Sequence, residues 1–310
     1  MTATTIPTST IDDQLTGAFT ALITPFLDGE IDERALRALV EFQIRSGIDG
    51  LVPCGTTGES ATMTEREHAF VIETVIDQAS GRVPVIAGTG TNNTRVTIER
   101  TRHALHAGAT AALVVVPYYN KPTQEGLIAH YSAIAESVDL PLVLYNVPGR
   151  TGITMSAQTT IALSRIRTIA AIKEAAGNLD LVTEIVNETR DDFVVLSGDD
   201  SLTLPMISVG ARGVISVLSN ILPAEVTELA RLANAGHFAE ARRAHLRLFE
   251  VMRAMFTGNN PTAVKTAAEL LRLCSSEVRL PLTRLNDAQF GIVAEAVQPW
   301  ITSDQSMAAD

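Results

Sequence analysis

Lysine is scarce in this sequence of 310 residues. Of its 24 basic side chains, 21 are arginine and three are lysine, at Lys121, Lys173 and Lys265. Any reaction that needs a primary amine therefore has three positions at which it could occur. The 35 acidic side chains outnumber the basic ones and leave a net charge of -11. With that charge, a nucleic-acid backbone is not expected as a partner.

Cysteine and long apolar runs are lacking as well. The two cysteines, Cys54 and Cys274, are far apart and show no metal-ligand spacing, so neither a disulfide framework nor a zinc site is expected. No apolar stretch has the length of a membrane span, and the first residues lack the basic start and apolar run of a signal peptide. We therefore expect a cytoplasmic protein with no membrane partner and no metal.

Apolar residues nonetheless make up 46% of the chain, and they recur in short runs. Several runs, such as AALVVVP and LPLVLYN, are continuous rather than alternating, which is typical of parallel strands buried on both faces. Their starts are about 20 to 35 residues apart, which is enough for a strand, a loop and one helix. The eight predicted strands span residues 18–24, 50–54, 84–88, 112–116, 141–146, 169–173, 193–197 and 213–217.

Eight such units predict an α/β fold of the (β/α)8 TIM barrel type with a C-terminal helical extension. An open doubly wound sheet is the alternative, but it would normally have a GxGxxG turn after its first strand, and none occurs there. We assign residues 16–223 to the barrel and residues 224–300, whose pattern is amphipathic, to a helical extension packed on it. Residues 1–15 are predicted to form a flexible tail and residues 301–310 a polar tail.

In a TIM barrel the reactive side chains gather at the carboxyl ends of the strands. The second predicted strand ends in CGTTGES, residues 54–60. There the hydroxyls of Thr56 and Thr57 and the nearby backbone N–H groups could surround a small anion. The same residues could equally form a tight loop that caps a helix.

Three of the four tyrosines also follow predicted strands. Tyr118 and Tyr119 come after the fourth strand, and Tyr145 ends the fifth, with Arg150 shortly behind it. A phenol can relay protons, and a guanidinium can bind a carboxylate through two hydrogen bonds. Packing for the tyrosines and a surface ion pair for Arg150 are the alternatives. The six histidines all fall in helix-like segments, so a histidine-based triad or metal site is not expected.

Lys173 closes the sixth predicted strand, after a run of small and apolar residues. Burial disfavours an ammonium ion, so a lysine at this position should have a lowered pKa and a more nucleophilic amine. The alternative is a lysine that reaches solvent or pairs with Glu174. Lys121, in a polar loop, and Lys265, in a helical segment, are predicted to be solvated. Lys173 is therefore the candidate nucleophile.

Seven motifs occur in a fixed order along the predicted barrel: GTTGES at 55–60, IAGTG at 86–90, PYYNKPTQEGL at 117–127, YNVPGRTG at 145–152, IKEAAGN at 172–178, SGDD at 197–200 and GVISV at 213–217. Together they resemble the pyruvate-dependent class I aldolase family, within the N-acetylneuraminate lyase superfamily. The later segments NPTAVKTA and RLPLT continue the pattern. The resemblance thus covers nearly all of residues 16–290.

This resemblance implies a reaction and a proton relay. Lys173 would form an imine with pyruvate, and the derived enamine would attack L-aspartate 4-semialdehyde to give 4-hydroxy-tetrahydrodipicolinate, on the route to diaminopimelate and lysine. An iminium accepts electrons by itself, so no metal and no organic cofactor is implied. Tyr145 would be the general acid and base. Thr57 and Tyr119 would complete the relay, with Tyr119 supplied by a neighbouring subunit.

The same resemblance implies substrate contacts and an assembly. Thr56 would hold the carboxylate of pyruvate, and Arg150 that of the aldehyde. Gly198 and Ile215 would line the pocket through their backbones. The expected assembly is a homotetramer, built as a dimer of tight dimers.

A candidate effector site is also implied, because many relatives are inhibited by lysine next to the relay tyrosine. Two residues depart from the usual pattern: Glu65 replaces a frequent histidine, and Val96 replaces a glutamate that commonly binds the amino groups of the effector. Strong feedback by lysine is therefore not expected, although Glu65 could compensate. The matching residues are Ser60, Ala61, His68, Asn92 and Tyr118.

Two other functions remain open at the level of sequence. One is a related aldolase that cleaves N-acetylneuraminate or a 2-keto-3-deoxy sugar acid, with the same lysine and barrel. The other is a catalytically silent relative with a binding or regulatory role. The two threonines of GTTGE and Arg150 favour the small acidic aldehyde.

Overall fold

A barrel of eight parallel strands forms the centre of the protein. The computed structural model describes residues 10–301, so residues 1–9 of the predicted tail 1–15 and residues 302–310 of the predicted tail 301–310 lie outside the described residues. The strands of the barrel are β1 (Gly17–Ala21), β2 (Gly50–Val52), β3 (Ile86–Gly88), β4 (Ala111–Val115), β5 (Leu142–Asn146), β6 (Ile169–Glu174), β7 (Val194–Ser197) and β8 (Gly213–Ser216). Neighbouring strands pair in the order β2-β1-β8-β7-β6-β5-β4-β3, and a parallel bridge between Leu51 and Val85 joins the two ends. The predicted (β/α)8 barrel is confirmed.

Helices surround the barrel and continue beyond it. Those that follow the eight strands are Glu33–Arg45, Glu65–Ala79, Thr94–Ala107, Gln124–Ser137, Ala157–Ser164, Leu179–Glu188, Thr203–Ser208 and Pro223–Asn234. The later helices are Phe238–Ala254, Thr262–Leu270 and Asp287–Val297. Shorter elements are the helical turns Ile11–Gln14, Pro148–Thr151, Ser60–Thr62, Asp200–Leu202, Leu218–Asn220 and Gln298–Trp300, and a small hairpin of Phe26–Leu27 with Glu30–Ile31.

The continuous apolar runs of the sequence are explained by burial on both faces of the strands. One set of side chains fills the inside of the barrel, and the other packs between the strands and the helices. All five residues of β1 and all six of β6 are buried. A strand buried in this way needs no polar alternation.

A capping box begins the helix that follows β2. The backbone N–H of Thr64 donates to the Glu67 carboxylate over 2.8 Å, and the N–H of Glu67 donates to the Thr64 hydroxyl over 3.2 Å. Two of the unpaired N–H groups at this helix end are thereby satisfied. The helix therefore starts at Glu65, after the loop that contains Thr56 and Thr57 and the helical turn Ser60–Thr62.

The folded chain begins earlier, and the barrel ends later, than predicted. Residues 10–15, assigned to a flexible tail, include the helical turn Ile11–Gln14, and Leu15 is fully buried in the core inside the barrel. The helix Pro223–Asn234, assigned to the extension, packs against β1 and β8 and so completes the eighth βα unit. Both boundaries depend on packing against residues that are distant in sequence, which a local pattern does not show.

The extension proper is formed by the last three helices. Phe238–Ala254 packs on Pro223–Asn234, and Thr262–Leu270 packs on Asp287–Val297. Within residues 10–301, no helix is both long enough and apolar enough to cross a membrane.

Candidate active site

Lys173 and Tyr145 lie side by side inside the barrel. They are directly paired in the register of β6 and β5, so their side chains leave the sheet on the same face. The amine nitrogen of Lys173 is 4.4 Å from the centroid of the Tyr145 ring. Both side chains are buried, at 5% and 6% exposure. The candidate nucleophile and the candidate acid–base group are therefore brought together by strand pairing.

Gly198 and Ile215 belong to the same region. A Cβ atom on Gly198 would lie 3.2 Å from Cε of Lys173 and 2.6 Å from Cβ of Ala175, so a side chain at this position would collide with the wall beside Lys173. Ile215, on β8, is buried in the same interior core as Tyr145. Both predicted lining residues are thus close to the predicted chemistry.

Glu174 does not pair with Lys173, which overturns the alternative considered for this lysine. Successive residues of a strand point to opposite faces, and the Glu174 carboxylate accepts hydrogen bonds from Asn146 Nδ2 over 2.9 Å and from the Ala176 N–H over 2.7 Å. Burial raises the pKa of Glu174 to about 7, against the lowering effect of these bonds. Asn146 also accepts from the N–H of Met155, and so fixes the loop that contains Arg150.

The loop after β2 holds Thr56 and Thr57 in consecutive turns. The N–H groups of Gly58 and Glu59 donate to the carbonyls of Gly55 and Thr56, each over 3.1 Å. Thr57 is 3% exposed, and its hydroxyl oxygen accepts a hydrogen bond from Asn260 Nδ2 over 3.0 Å. Sequence reasoning missed Asn260. In the sequence, this residue is marked only by the family-like segment NPTAVKTA, which begins with it.

Lys265 is buried, so its prediction as a solvated lysine is wrong. Its ammonium lies 2.7 Å from the Glu59 carboxylate, and the two side chains are 0% and 1% exposed. Burial lowers the pKa of Lys265, and the negative charge of Glu59 opposes that effect. The second carboxylate oxygen of Glu59 accepts from the N–H of Arg279 over 3.0 Å. The helical pattern around Lys265 gave no sign of a carboxylate 206 positions away.

A cavity of about 470 Å³ opens beside these residues. Tyr145, Thr56 and Arg150 all line it, so both predicted carboxylate-binding residues face the same space as the candidate acid–base group. Arg150 is exposed and sits on the short helix Pro148–Thr151, directly after β5. Lys173 does not itself line this cavity, but its amine packs against the ring of Tyr145, which does. An anionic substrate could therefore be held between Thr56 and Arg150.

Tyr119, predicted for the relay, does not line this cavity in the single chain. Its side chain is 88% exposed, and its backbone has a positive φ of 73°, which is costly for a residue of this size. Tyr118, next to it, lines the cavity. An aromatic side chain held outward at the rim of a site is suited to contact a second molecule.

Four of the five predicted effector residues, Ser60, Ala61, Asn92 and Tyr118, line the same cavity. The fifth, His68, is buried behind it, with Nε2 2.8 Å from the carbonyl of Gly88. Burial, assisted by the positive charge of Arg100, lowers the pKa of His68 to about 4.

The two residues that depart from the family pattern occupy the same region. The carboxylate of Glu65 accepts two hydrogen bonds from Arg100, over 3.0 and 2.6 Å. Val96 contributes an apolar wall to the cavity. Neither residue leaves an unpaired carboxylate there. Among residues 10–301, this region included, no group of three or more His, Cys, Asp or Glu side chains could hold a metal ion.

Known proteins are similar to this chain in sequence and in fold over most of its length. The model of the dihydrodipicolinate synthetase family matches residues 14–298. The 4-hydroxy-tetrahydrodipicolinate synthase of Thermomicrobium roseum is 56% identical over 274 residues, which cover 88% of this chain and 91% of the relative. The crystal structure of dihydrodipicolinate synthase from Aquifex aeolicus is 47% identical with a TM-score of 0.91, over 92% of this chain and 98% of that one. The pyruvate complex of the Acinetobacter baumannii enzyme is 42% identical with a TM-score of 0.90, over 91% of this chain and 98% of that one.

Proposed function

The chain belongs to the dihydrodipicolinate synthetase family, and we propose that it condenses pyruvate with L-aspartate 4-semialdehyde through an imine on Lys173. The product is 4-hydroxy-tetrahydrodipicolinate, which leads to diaminopimelate and lysine, and the enzyme is a lyase. The observation that supports this most directly is the buried amine of Lys173, 4.4 Å from the ring centroid of Tyr145 at the carboxyl end of the barrel.

The chemistry at Lys173 follows from its amine. The nitrogen adds to the keto carbon of pyruvate, and loss of water gives an imine. The protonated imine takes up the electron pair released when a methyl proton leaves, which gives an enamine. The enamine carbon bonds to the aldehyde carbon, and the amino group of the second substrate then attacks the imine carbon, closing the ring and releasing Lys173. Burial of the site keeps water from hydrolysing the imine early.

Tyr145 is proposed to donate and accept the protons of these steps. A phenol is almost fully protonated at neutral pH, so it works best within a chain of hydroxyl groups that returns its proton to solvent. Thr57, in the neighbouring loop, and Tyr119 of a second subunit would complete that chain. The exposure of Tyr119 supports its use by a neighbouring molecule.

Thr56 and Arg150 are proposed to bind the two carboxylates, Thr56 that of pyruvate and Arg150 that of the aldehyde. A guanidinium can make two parallel hydrogen bonds to a carboxylate, which would fix the aldehyde in orientation as well as in place. Both residues line one cavity with Tyr145, which supports this assignment. Gly198 and Ile215 would shape the pocket around the imine.

An assembly of several subunits follows from the role given to Tyr119. We propose a homotetramer built from two tight dimers, in which each active site is completed across the tight interface. An enforced monomer should then lose most of its activity, and a fully active monomer would contradict this part of the proposal. We further propose that the enzyme works in the cytoplasm.

The test of the proposed function is reduction of the imine. Borohydride added with pyruvate should convert the imine to a stable amine, and mass spectrometry should find the added mass on Lys173 alone. A label on another residue, or no label, counts against the mechanism. Turnover with pyruvate and L-aspartate 4-semialdehyde should then be compared with cleavage of N-acetylneuraminate and of a 2-keto-3-deoxy sugar acid. Cleavage of either sugar acid at a higher rate would favour the related aldolases, and no turnover of any kind would favour a silent relative.

A further inference from the structure

We infer that Asn146 is a positioning residue for Arg150, which places the guanidinium at the cavity and thereby sets how efficiently the aldehyde substrate is used. The inference rests on the proposed function, because it concerns the group proposed to bind the carboxylate of that substrate. Asn146 is the last residue of β5, and Arg150 follows it by four positions, on the short helix Pro148–Thr151. Asn146 does not itself line the cavity.

Strand pairing places the Asn146 side chain behind the candidate chemistry. Asn146 pairs with Glu174 in the register of β5 and β6, one position beyond the pair of Tyr145 and Lys173. Successive residues of a strand point to opposite faces, so Asn146 and Glu174 lie on the outer face of the barrel wall. Asn146 is 0% exposed, and its Nδ2 donates to Glu174 Oε2 over 2.9 Å. The amide is therefore fixed to the barrel itself.

The same amide closes the segment that contains Arg150. Asn146 Oδ1 accepts from the Met155 N–H over 3.0 Å, and Asn146 Nδ2 donates to the Met155 carbonyl over 3.3 Å. One side chain thus satisfies both backbone groups of a residue nine positions along the chain, as a neighbouring strand would. Met155 is 0% exposed, so loss of this contact leaves two buried backbone groups without a partner. The contact therefore fixes the far end of the segment to β5.

The guanidinium of Arg150 has no contact of its own that would hold it. It makes no hydrogen bond and no ion pair with any of residues 10–301, and the side chain is exposed. Within the segment, the N–H of Arg150 donates to the Val147 carbonyl over 2.9 Å, which keeps the short helix intact. The position of the guanidinium at the cavity therefore depends on where the segment is attached to the barrel. An arginine without an internal carboxylate partner is also free to bind a substrate carboxylate.

A second side chain holds the segment from the surface. Gln124 Nε2 donates to the Thr154 carbonyl over 2.9 Å, and Gln124 Oε1 accepts from the Ser156 N–H over 3.1 Å. The segment therefore stays attached when Asn146 is replaced, although its distance from β5 is no longer fixed. Replacement of Asn146 should move Arg150 without unfolding the barrel.

The two halves of the reaction separate positioning of Arg150 from general damage to the site. The value of kcat/KM for pyruvate reports imine formation at Lys173, and that for the aldehyde reports the later condensation. Asn146→Ala should lower kcat/KM for L-aspartate 4-semialdehyde by about tenfold or more, since a hydrogen bond to a charged group typically contributes that much to affinity. For pyruvate it should change by less than about twofold, because strand register holds Lys173 and Tyr145. Equal losses for both substrates, or no loss for the aldehyde, overturn the inference.

A double-mutant cycle with Arg150 tests the path of this effect. In the Arg150→Ala background, Asn146→Ala should lower kcat/KM for the aldehyde by less than about twofold, because the guanidinium through which it acts is gone. A purely structural role of the amide predicts the same loss in both backgrounds. That result overturns the inference.

Glu174 needs a variant of its own, because Asn146→Ala removes a donor from this buried carboxylate and so lowers stability. Asn146→Ala combined with Glu174→Gln removes the carboxylate as well and should show the same selective loss for the aldehyde. This double variant carries the test if Asn146→Ala does not fold. Wild-type efficiency with the aldehyde in the folded double variant contradicts the positioning role.

Asn178→Ala is the matched control for a loss of stability alone. Asn178 is the exposed N-cap of the helix Leu179–Glu188, so its replacement weakens that helix without touching the segment that contains Arg150. Both values of kcat/KM should stay at the wild-type level. A selective loss for the aldehyde in this variant would show that destabilisation is sufficient and would overturn the inference.

The wild type separates this inference from the proposed function. If it forms an imine on Lys173 but does not condense it with L-aspartate 4-semialdehyde, the proposed second substrate is rejected, and the inference with it. If the wild type condenses the two substrates and Asn146→Ala loses efficiency equally with both, the inference alone is rejected.

Discussion

The amine of Lys173 and the ring of Tyr145 are neighbours because their residues are directly paired across two parallel strands. Their separation of 4.4 Å is therefore set by the register of β5 and β6, not by the conformation of a loop. Strand register changes only in steps of whole residues, and a shift of one residue turns every side chain to the other face. The geometry of the candidate nucleophile and acid–base group is thus present before any substrate binds.

Replacement of Lys173 should abolish the chemistry. Lys173→Met keeps the apolar stem but has no amine, so imine formation becomes impossible, and we expect turnover to fall by about a thousandfold or more. Lys121→Met, at an exposed loop position, is the matched control and should be as active as the wild type. Initial rates and borohydride labelling should be measured for both variants. Labelling that persists in Lys173→Met would place the nucleophile elsewhere.

Gly198→Ala should disturb Lys173 without removing it. The new Cβ would lie 2.6 Å from Ala175 Cβ and 3.2 Å from Lys173 Cε, so the strand ends must move apart. Such overpacking typically costs about 1–3 kcal/mol in stability, and we expect slower imine formation as well. Gly291→Ala, where an added Cβ meets nothing within 4 Å, is the control and should not reduce either quantity. The rate of imine formation is measured by stopped flow, and the stability by denaturant unfolding. Equal behaviour of the two variants would show that the close approach is unimportant.

The buried ion pair predicts a strong but non-additive effect on stability. Lys265→Met leaves the Glu59 carboxylate buried without its cation, which should cost about 3–5 kcal/mol in the free energy of unfolding. Adding Glu59→Gln removes the isolated charge, so the double variant should be less destabilised than the sum of the two single ones. Arg231→Met, which breaks an exposed pair with Glu228, should cause no measurable change. Additive losses at Lys265 and Glu59 would contradict the pairing.

Glu174 predicts a specific dependence of stability on pH. Its pKa is raised from 4.5 to about 7 in the folded protein, so between those values the folded state binds the proton more tightly than the unfolded state. Its contribution to stability is therefore complete below about pH 4.5 and is lost as the pH rises through about 7, a change of about 3 kcal/mol. Glu174→Gln does not titrate.

The measurement is the difference in unfolding free energy between Glu174→Gln and the wild type across this range. The variant should gain about 3 kcal/mol relative to the wild type as the pH rises from about 4.5 to 8. Parallel stability curves would mean that the carboxyl titrates normally in the folded protein.

Feedback by lysine should be weak, and a single substitution should introduce it. Glu65 is occupied by Arg100 and Val96 offers no acceptor, so the ammonium of a bound lysine would lack a partner in the cavity. Val96→Glu places a carboxylate in the first turn of the helix Thr94–Ala107, and we expect it to lower the inhibitory lysine concentration at least about fivefold. Val96→Gln has similar size without the charge and should resemble the wild type. Strong inhibition of the wild type would mean that Glu65 compensates.

The sequence predicted those features that depend on local pattern. Continuous apolar runs predicted eight buried parallel strands, and the position of Lys173 at the end of one of them selected it from three lysines. Lys265 was misassigned because a buried lysine and a solvated one look alike in a helical pattern when the partner, Glu59, is 206 positions away. Asn260 was missed for the same reason, since its contact with Thr57 depends on how the extension packs on the barrel. The burial of Leu15 was missed in the same way, because it depends on the closed barrel around it.

The two connections between residues 260–265 and residues 57–59 also bear on how such proteins can be recombined. If the helices outside the barrel made no contact with its loops, relatives could exchange them without loss of function. In this chain the exchange of the extension would also replace the amide donor of Thr57 and the cation that neutralises Glu59. A chimaera should therefore work only when the loop after β2 and the last three helices come from the same parent.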